Sequence, residues 1–184
     1  VAAPKFNVVS KPNEWSRTVA QGASALSRTE LSDAKKLQLD FWTDFKTHVD
    51  NNETLFKSVK PQPQNWLSIG VGKSGFNLSP IASFWDGFNK TYENQELRAE
   101  FVISGINAKA NYAILEANRE EIEKELQRDC VWHSTSEARM CRIYVRRSIE
   151  LHDRTRWPEY IEWLVTELNA FYSYFNPVVR SLSS

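Results

Sequence analysis

Apolar residues recur at steps of three and four through the first third of the chain. Ala34, Leu37, Phe41, Phe45 and Val49 fall on one stripe, which is the period of an amphipathic helix with one core-facing side. Ser27-Arg28-Thr29-Glu30 in front of it has the form of a capping box, in which the serine hydroxyl serves the third amide and the glutamate reaches back. Asp50-Asn51-Asn52 ends the helix. Beyond the loop marked by Pro61 and Pro63 the period changes to two. Leu67, Ile69 and Val71 alternate with Trp66, Ser68 and Gly70. A turn at Lys73-Ser74-Gly75 follows, and Phe76 and Leu78 resume the alternation, as in a β-hairpin. Leu97, Ala99, Phe101 and Ile103 alternate with Arg98, Glu100, Val102 and Ser104 in a third strand, after a polar loop from Asp86 to Asn94.

Helical spacing returns after Asn107, with Ala108, Tyr112, Leu115, Ile122 and Leu126 on a narrow stripe to about Gln127. The rest of that helix is charged, and Glu120 stands four residues before Lys124, a favourable pairing distance. Val131-Trp132-His133 and Cys141 to Arg146 predict two more strands. Cys141, Ile143 and Val145 face in; Arg142, Tyr144 and Arg146 face out. Trp157-Pro158-Glu159 opens a last helix with proline in its first turn. Tyr160, Ile161, Leu164, Leu168, Phe171, Tyr172 and Phe175 form its stripe, and Asn176-Pro177 is expected to end or kink it. The order is α-β-β-β-α-β-β-α. Short connections between strands make the sheet mainly antiparallel, so the expected class is α+β, with about five strands and three main helices. Residues 27–184 form one domain on this reading. Residues 1–26, with Pro4, Pro12, Gly22 and several serines, read as a connector or arm. The chain starts at Val1 and its only methionine is Met140, which points to a processed protein or a piece of a longer one.

Composition narrows the function classes. Lysine and arginine together number 23, and so do aspartate and glutamate, which excludes an overall polycation but not a local patch. Hydrophobic content of 41% fits a folded domain rather than a disordered one. The apolar runs are too short to span a bilayer, and no membrane role is expected. Cys130 and Cys141 lack a CxxC pattern. With His133 they would supply three zinc ligands on adjacent strands; buried thiols in a reducing cytosol fit better, which places the protein in the cytoplasm. A disulfide across the hairpin is a second geometric option. Asn52, Asn77 and Asn89 begin Asn-x-Ser/Thr triplets, with no signal peptide to make them glycosylation sites.

No catalytic machinery is visible. Gly70 to Gly75 ends in Lys-Ser like a phosphate-binding loop, but a strand follows where a helix N-terminus would hold the phosphate. A hairpin turn is the simpler reading, with Lys73 exposed at its tip and within reach of a phosphate. Asp33-Ala34-Lys35 and Asp44-Phe45-Lys46 match the Asp-x-Lys of metal-dependent nucleases, but both lie on the first helix, where such a site is not built. His48, His133 and His152 lie in separate elements. No catalytic residue, metal ligand or cofactor is expected, and the chain is not read as an enzyme.

One charge bias stands out. Residues 139–156 hold Arg139, Arg142, Arg146, Arg147, Arg154 and Arg156 against Glu150 and Asp153, four positive charges in excess. Arginine suits bidentate phosphate contacts. Arg142 and Arg146 flank Tyr144 on one strand face, an arrangement that holds a nucleic-acid backbone and stacks a base. The alternative is that these arginines pair with the acidic second helix or cap the last one.

Several motifs resemble a bacterial and archaeal family catalogued as domain of unknown function 4268. They are Phe41-Trp42-Thr43-Asp44-Phe45, Pro61-Gln62-Pro63-Gln64-Asn65-Trp66, Gly72-Lys73-Ser74-Gly75-Phe76-Asn77-Leu78, Arg142-Ile143-Tyr144 and Asp153 through Trp163. The resemblance spans roughly residues 30–180. It implies a C-terminal module behind a domain similar to PD-(D/E)XK nucleases, joined through a segment like Lys5 to Pro12. It implies no catalytic residues. The expected function is a non-catalytic accessory domain of a nuclease-like protein, binding DNA or RNA through Lys73, Arg139, Arg142, Tyr144, Arg146, Arg147, Arg154 and Arg156. Partners on this reading are nucleic acid and the nuclease-like domain of the same protein. The alternative is a protein–protein or homodimerisation module, with Trp85, Phe88 and Tyr92 as interface candidates, because aromatics in a polar loop suit an interface.

Overall fold

The computed structural model describes residues 32–86, 88–92, 94–135 and 139–183. Helix α1 runs Asp33–Asn51 and ends in the Asp-Asn-Asn segment. Leu37, Phe41, Trp42, Phe45 and Val49 are buried on it, while Ala34 is exposed, because the helix reaches the core only from its second turn onward. The capping box at Ser27–Glu30 and the connector at residues 1–26 lie outside the described residues.

Five strands follow: β1 (Ile69–Gly70), β2 (Phe76–Ser83), β3 (Gln95–Ser104), β4 (Val131–His133) and β5 (Met140–Ile149). They form one antiparallel sheet in the order β1-β2-β3-β5-β4. The expected alternation at 66–71 holds, with Leu67, Ile69 and Val71 buried between exposed Trp66, Ser68 and Gly70. Gly75 makes the β1–β2 turn at a φ of +86°, and a Cβ there would stand 3.1 Å from the Ser104 carbonyl oxygen; an L side chain would be strained at that position.

The expected single second helix is two: α2 (Ala108–Glu116) and α3 (Arg119–Leu126). The Asn118 side chain donates to the Ile114 carbonyl at 2.9 Å, a local bond that competes with the helical ladder at the break. The full stripe is still buried on both pieces. The i,i+4 ion pair formed here is Arg119 with Glu123 at 3.2 Å, rather than Glu120 with Lys124. Helix α4 runs Trp157–Val178, with Pro158 in its first turn. It passes Pro177 by one residue before a 3₁₀ turn at Val179–Ser181, and Asn176 donates to the Val71 carbonyl at 3.0 Å, tying that end to the sheet.

The core lies between the helices and one sheet face. Phe101 of β3 stacks on Phe175 of α4 with ring centroids 3.9 Å apart. Trp42 donates to the Gln64 carbonyl, and Trp157 to that of Leu151, so these large rings bury their area without stranding an N–H. No described helix is long and apolar enough to cross a membrane. Among the described residues, four helices and a five-stranded antiparallel sheet make the α+β class expected from the sequence.

Candidate nucleic-acid interface on the second sheet face

Register across the sheet sets which side chains share the second face. Ser79 of β2, Glu100 of β3, Tyr144 of β5 and Val131 of β4 form one row. Asn77, Val102, Arg142 and His133 form the next, and Ile81, Arg98 and Arg146 flank the first row on its other side. The core-facing positions of β3 are Leu97, Ala99, Phe101 and Ile103, so Glu96, Arg98 and Glu100 point the other way. Two of these are nearly inaccessible: Glu96 is 1% exposed and Glu100 2%.

Buried carboxylates need partners, since desolvating an ion costs several kcal/mol before compensation, of order 5. The guanidinium groups supply it. Arg142 Nε lies 3.3 Å from Glu100 Oε2. Arg98 Nε lies 3.2 Å from Glu100 Oε1 and 3.5 Å from Glu96 Oε1, close in charge but not aligned as a hydrogen bond to Glu100. Arg146 Nε lies 3.0 Å from Glu96 Oε2, and its Nη2 2.7 Å from Asp86 Oδ1. Arg98 also lies over the Tyr144 ring. Burial pushes the Glu100 carboxyl above its ordinary value, against Arg98 and Arg142, which pull it down.

The loop between β2 and β3 is built around Asp86, which is fully buried. Its Oδ1 accepts from the Phe88 and Asn89 amides, both at 2.9 Å, and its Oδ2 from Asn89 Nδ2 at 2.8 Å. Lys90 adopts the left-handed conformation, φ 58°, and its amide donates to the Asp86 carbonyl. Burial alone would raise the Asp86 carboxyl, but the bonds from Asn89, Arg146 and Phe88 outweigh it and hold the group down to about 2. Asp86 therefore contributes stability that is present above the unfolded value of 3.8 and lost as pH falls through about 2. Asp86→Ala is expected to cost about 2 kcal/mol, from several lost hydrogen bonds to one carboxylate. Acid titration followed by circular dichroism should show Asp86→Asn without the wild-type loss of stability in that window.

Phe88 and Tyr92 project from this loop at 60% and 76% exposure. Arg146 sits 5.0 Å from the Phe88 ring centroid. Trp85 is half-buried rather than exposed, with its ring 4.5 Å from that of Tyr92. At the β4 edge, what burial His133 has and the charges of Arg142, Lys90, Arg98 and Lys109 hold the imidazole below its ordinary value, so it is neutral at pH 7. Lys109 is placed there by a bond from its ammonium to Ser134 Oγ at 3.1 Å.

The sequence-selected arginines divide into three places. Arg142 and Arg146 share the second sheet face with Tyr144, as expected, but both are paired and Tyr144 is buried. Arg147, Arg154 and Arg156 lie around the start of α4. Arg147 and Arg156 both pair with Glu159 in the helix's first turn, and Arg154 with Asp40 of α1 at 2.5 Å. They gather at the start of the last helix, paired with Glu159 and with Asp40, and do not pair with the acidic second one. Arg139 is exposed just before β5. Lys73 is half-buried rather than exposed, and its ammonium bonds the Leu182 carbonyl near the C-terminus. Sequence reasoning missed Asp86, Lys90, Glu96, Arg98, Glu100 and Lys109. The signal for three of them was present: Glu-x-Arg-x-Glu in a strand puts all three charges on one face.

Cys130 and Cys141 are buried free thiols. The zinc reading fails on strand geometry: His133 pairs in register with Arg142 on the second face, while Cys141 is buried on the core side against Ser134. Burial, with Glu123 and Glu167 nearby, pushes the Cys130 thiol up to about 12, so it is protonated and unsuited to metal or nucleophilic work. No group of three His, Cys, Asp or Glu side chains among the described residues is placed to hold a metal.

Comparison with curated proteins and with solved structures found no match. The family model described as "Domain of unknown function (DUF4268)" matches residues 37–179, from the buried half of α1 to the end of α4. The chain belongs to that family.

Proposed function

We propose that this chain is a non-catalytic accessory domain that binds nucleic acid on its second sheet face. The observation that carries the reading is the charge balance there: Arg98, Arg142, Arg146, Lys90 and Lys109 converge on a surface holding the carboxylates of Asp86, Glu96 and Glu100. The carboxylates engage mainly the Nε side of the arginines. The Arg142 side chain, held through its Nε to Glu100, stays one-third exposed. A guanidinium held by its Nε keeps its distal N–H groups for a phosphate and loses little entropy on binding. The nuclease-like neighbour implied by the family resemblance is the protein such a domain would serve.

Fluorescence anisotropy with labelled DNA and RNA tests the reading. Binding at low salt with a dissociation constant of about 10⁻⁶ to 10⁻⁴ M is expected, weakening steeply with salt. Lys90→Gln should reduce the salt slope by about one and Arg142→Gln should weaken binding to every sequence. Arg142→Gln keeps a donor for Glu100, so the fold is retained. Absence of binding at low salt, or binding untouched by both variants, would overturn the proposal. The exposed rings of Phe88 and Tyr92 favour a second reading, an interface with another copy or with a partner polypeptide. Sedimentation showing dimers of the free protein that dissociate in a Phe88→Ala, Tyr92→Ala variant would favour it.

A further inference from the structure

The loop between β2 and β3 presents Phe88, Lys90 and Tyr92 at every second position, ring–cation–ring, and all three side chains are exposed. The loop is held in shape from within. Asp86 gathers the Phe88 and Asn89 amides and the Asn89 side chain, bridges to Thr91 across the turn, and is locked to the sheet through Arg146. One face of the Phe88 ring carries the Arg146 guanidinium at 5.0 Å. The ring is still 60% exposed, and an exposed ring stacks on a base. Tyr92 rests against the Trp85 ring, with centroids 4.5 Å apart and planes tilted by 58°.

Flat, exposed, pre-positioned aromatic faces have little use for a duplex, whose bases turn their π-faces to one another inside the stack. They fit unpaired bases, which offer a π-face whatever their identity. We infer that this loop is a stacking clamp for single-stranded nucleic acid, with unpaired bases on Phe88 and Tyr92 and the phosphate between them on Lys90. The inference rests on the nucleic-acid reading of the sheet face and names the strand state and the residues that read it. Sequence preference is weak on this arrangement, because the contacts are to ring faces and charge rather than to base edges.

Anisotropy titrations of the full chain with matched single-stranded and duplex oligonucleotides, in DNA and in RNA, test it. Single strands are expected to bind at least about tenfold tighter than duplexes. The Phe88→Ala, Tyr92→Ala double variant, whose exposed rings leave the core untouched, should lose about tenfold to a hundredfold on single strands and little on duplexes. Photo-crosslinking of a halogenated pyrimidine strand should map to Phe88 or Tyr92. Equal affinity for single strands and duplexes, or a single-strand preference that survives the double variant, would overturn the clamp while leaving the nucleic-acid reading standing. No binding of either form at low salt would overturn both.

Discussion

Phe101→Ala should cost about 3–5 kcal/mol, the range for removing a fully buried phenylalanine from a packed core. The ring is inaccessible, lies flat against Phe175 at 3.9 Å with an interplanar angle of 2°, and meets Phe76 on the sheet side. It thus joins the central strand β3 to the longest helix, α4, and no neighbouring ring can close the gap without leaving its own contacts: Phe175 is already edge-on to Phe171 and Tyr174. For a domain of this size that loss corresponds to a fall in Tm of about 10 °C. Phe101→Leu keeps most of the volume and should cost less. The double variant Phe101→Ala, Phe175→Ala should cost less than the two singles together, by about 1 kcal/mol, because the stacking term is lost only once. Urea denaturation of the wild type, Phe101→Ala, Phe101→Leu, Phe175→Ala and the double variant reads all three quantities. A single-variant loss below about 1 kcal/mol, or strict additivity, would show that the stack is not the joint between sheet and helix.

The core half of this architecture was legible from residue types because its signal is periodic. Leu97, Ala99, Phe101 and Ile103 alternate, and the stripe from Tyr160 to Phe175 repeats at helical steps; burial then follows from geometry. The break between α2 and α3 was not legible, since an asparagine side chain settles it at Asn118 without disturbing the apolar stripe on either side. The second sheet face was half legible. Arg142, Tyr144 and Arg146 were correctly placed together, but an alternating strand was expected to turn its polar side to water. The partners that prevent this come from β3 and from the loop before it, distant in sequence from β5: Glu100 is 42 residues from Arg142 and Asp86 is 60 from Arg146. Local charge counting saw six arginines against two carboxylates; the register of β3 on β5 supplies the missing carboxylates to two of them. Lys73 misled for a related reason, because its acceptor, the Leu182 carbonyl, is a backbone atom that no side-chain pattern announces.

Glu100 offers the sharpest test of how that face is held. Glu100→Ala deprives Arg98 and Arg142 of a shared carboxylate and leaves two half-buried guanidiniums on the same sheet face without it. Breaking a buried pair from one side costs about 3–5 kcal/mol. The remaining exposure of both arginines puts the expected loss near 3. Glu100→Gln keeps the shape and an acceptor oxygen and should cost less than half of that. The two variants should also differ from wild type in their dependence on pH. Burial raises the Glu100 carboxyl above its unfolded value of 4.5. A raised folded pKa gives stability that is fully present below 4.5 and is lost as pH rises through the folded value. Wild type should therefore gain on Glu100→Gln as the pH is lowered from 7 towards 4.5, while Asp86, whose carboxyl is held down, changes nothing until lower pH. Urea midpoints of both proteins across that range check the sign. A constant difference would mean that Arg98 and Arg142 fully offset the cost of burying the charge. A difference that shrinks on acidification would mean they exceed it, and the arginines would then be too tightly committed to Glu100 to turn towards a phosphate.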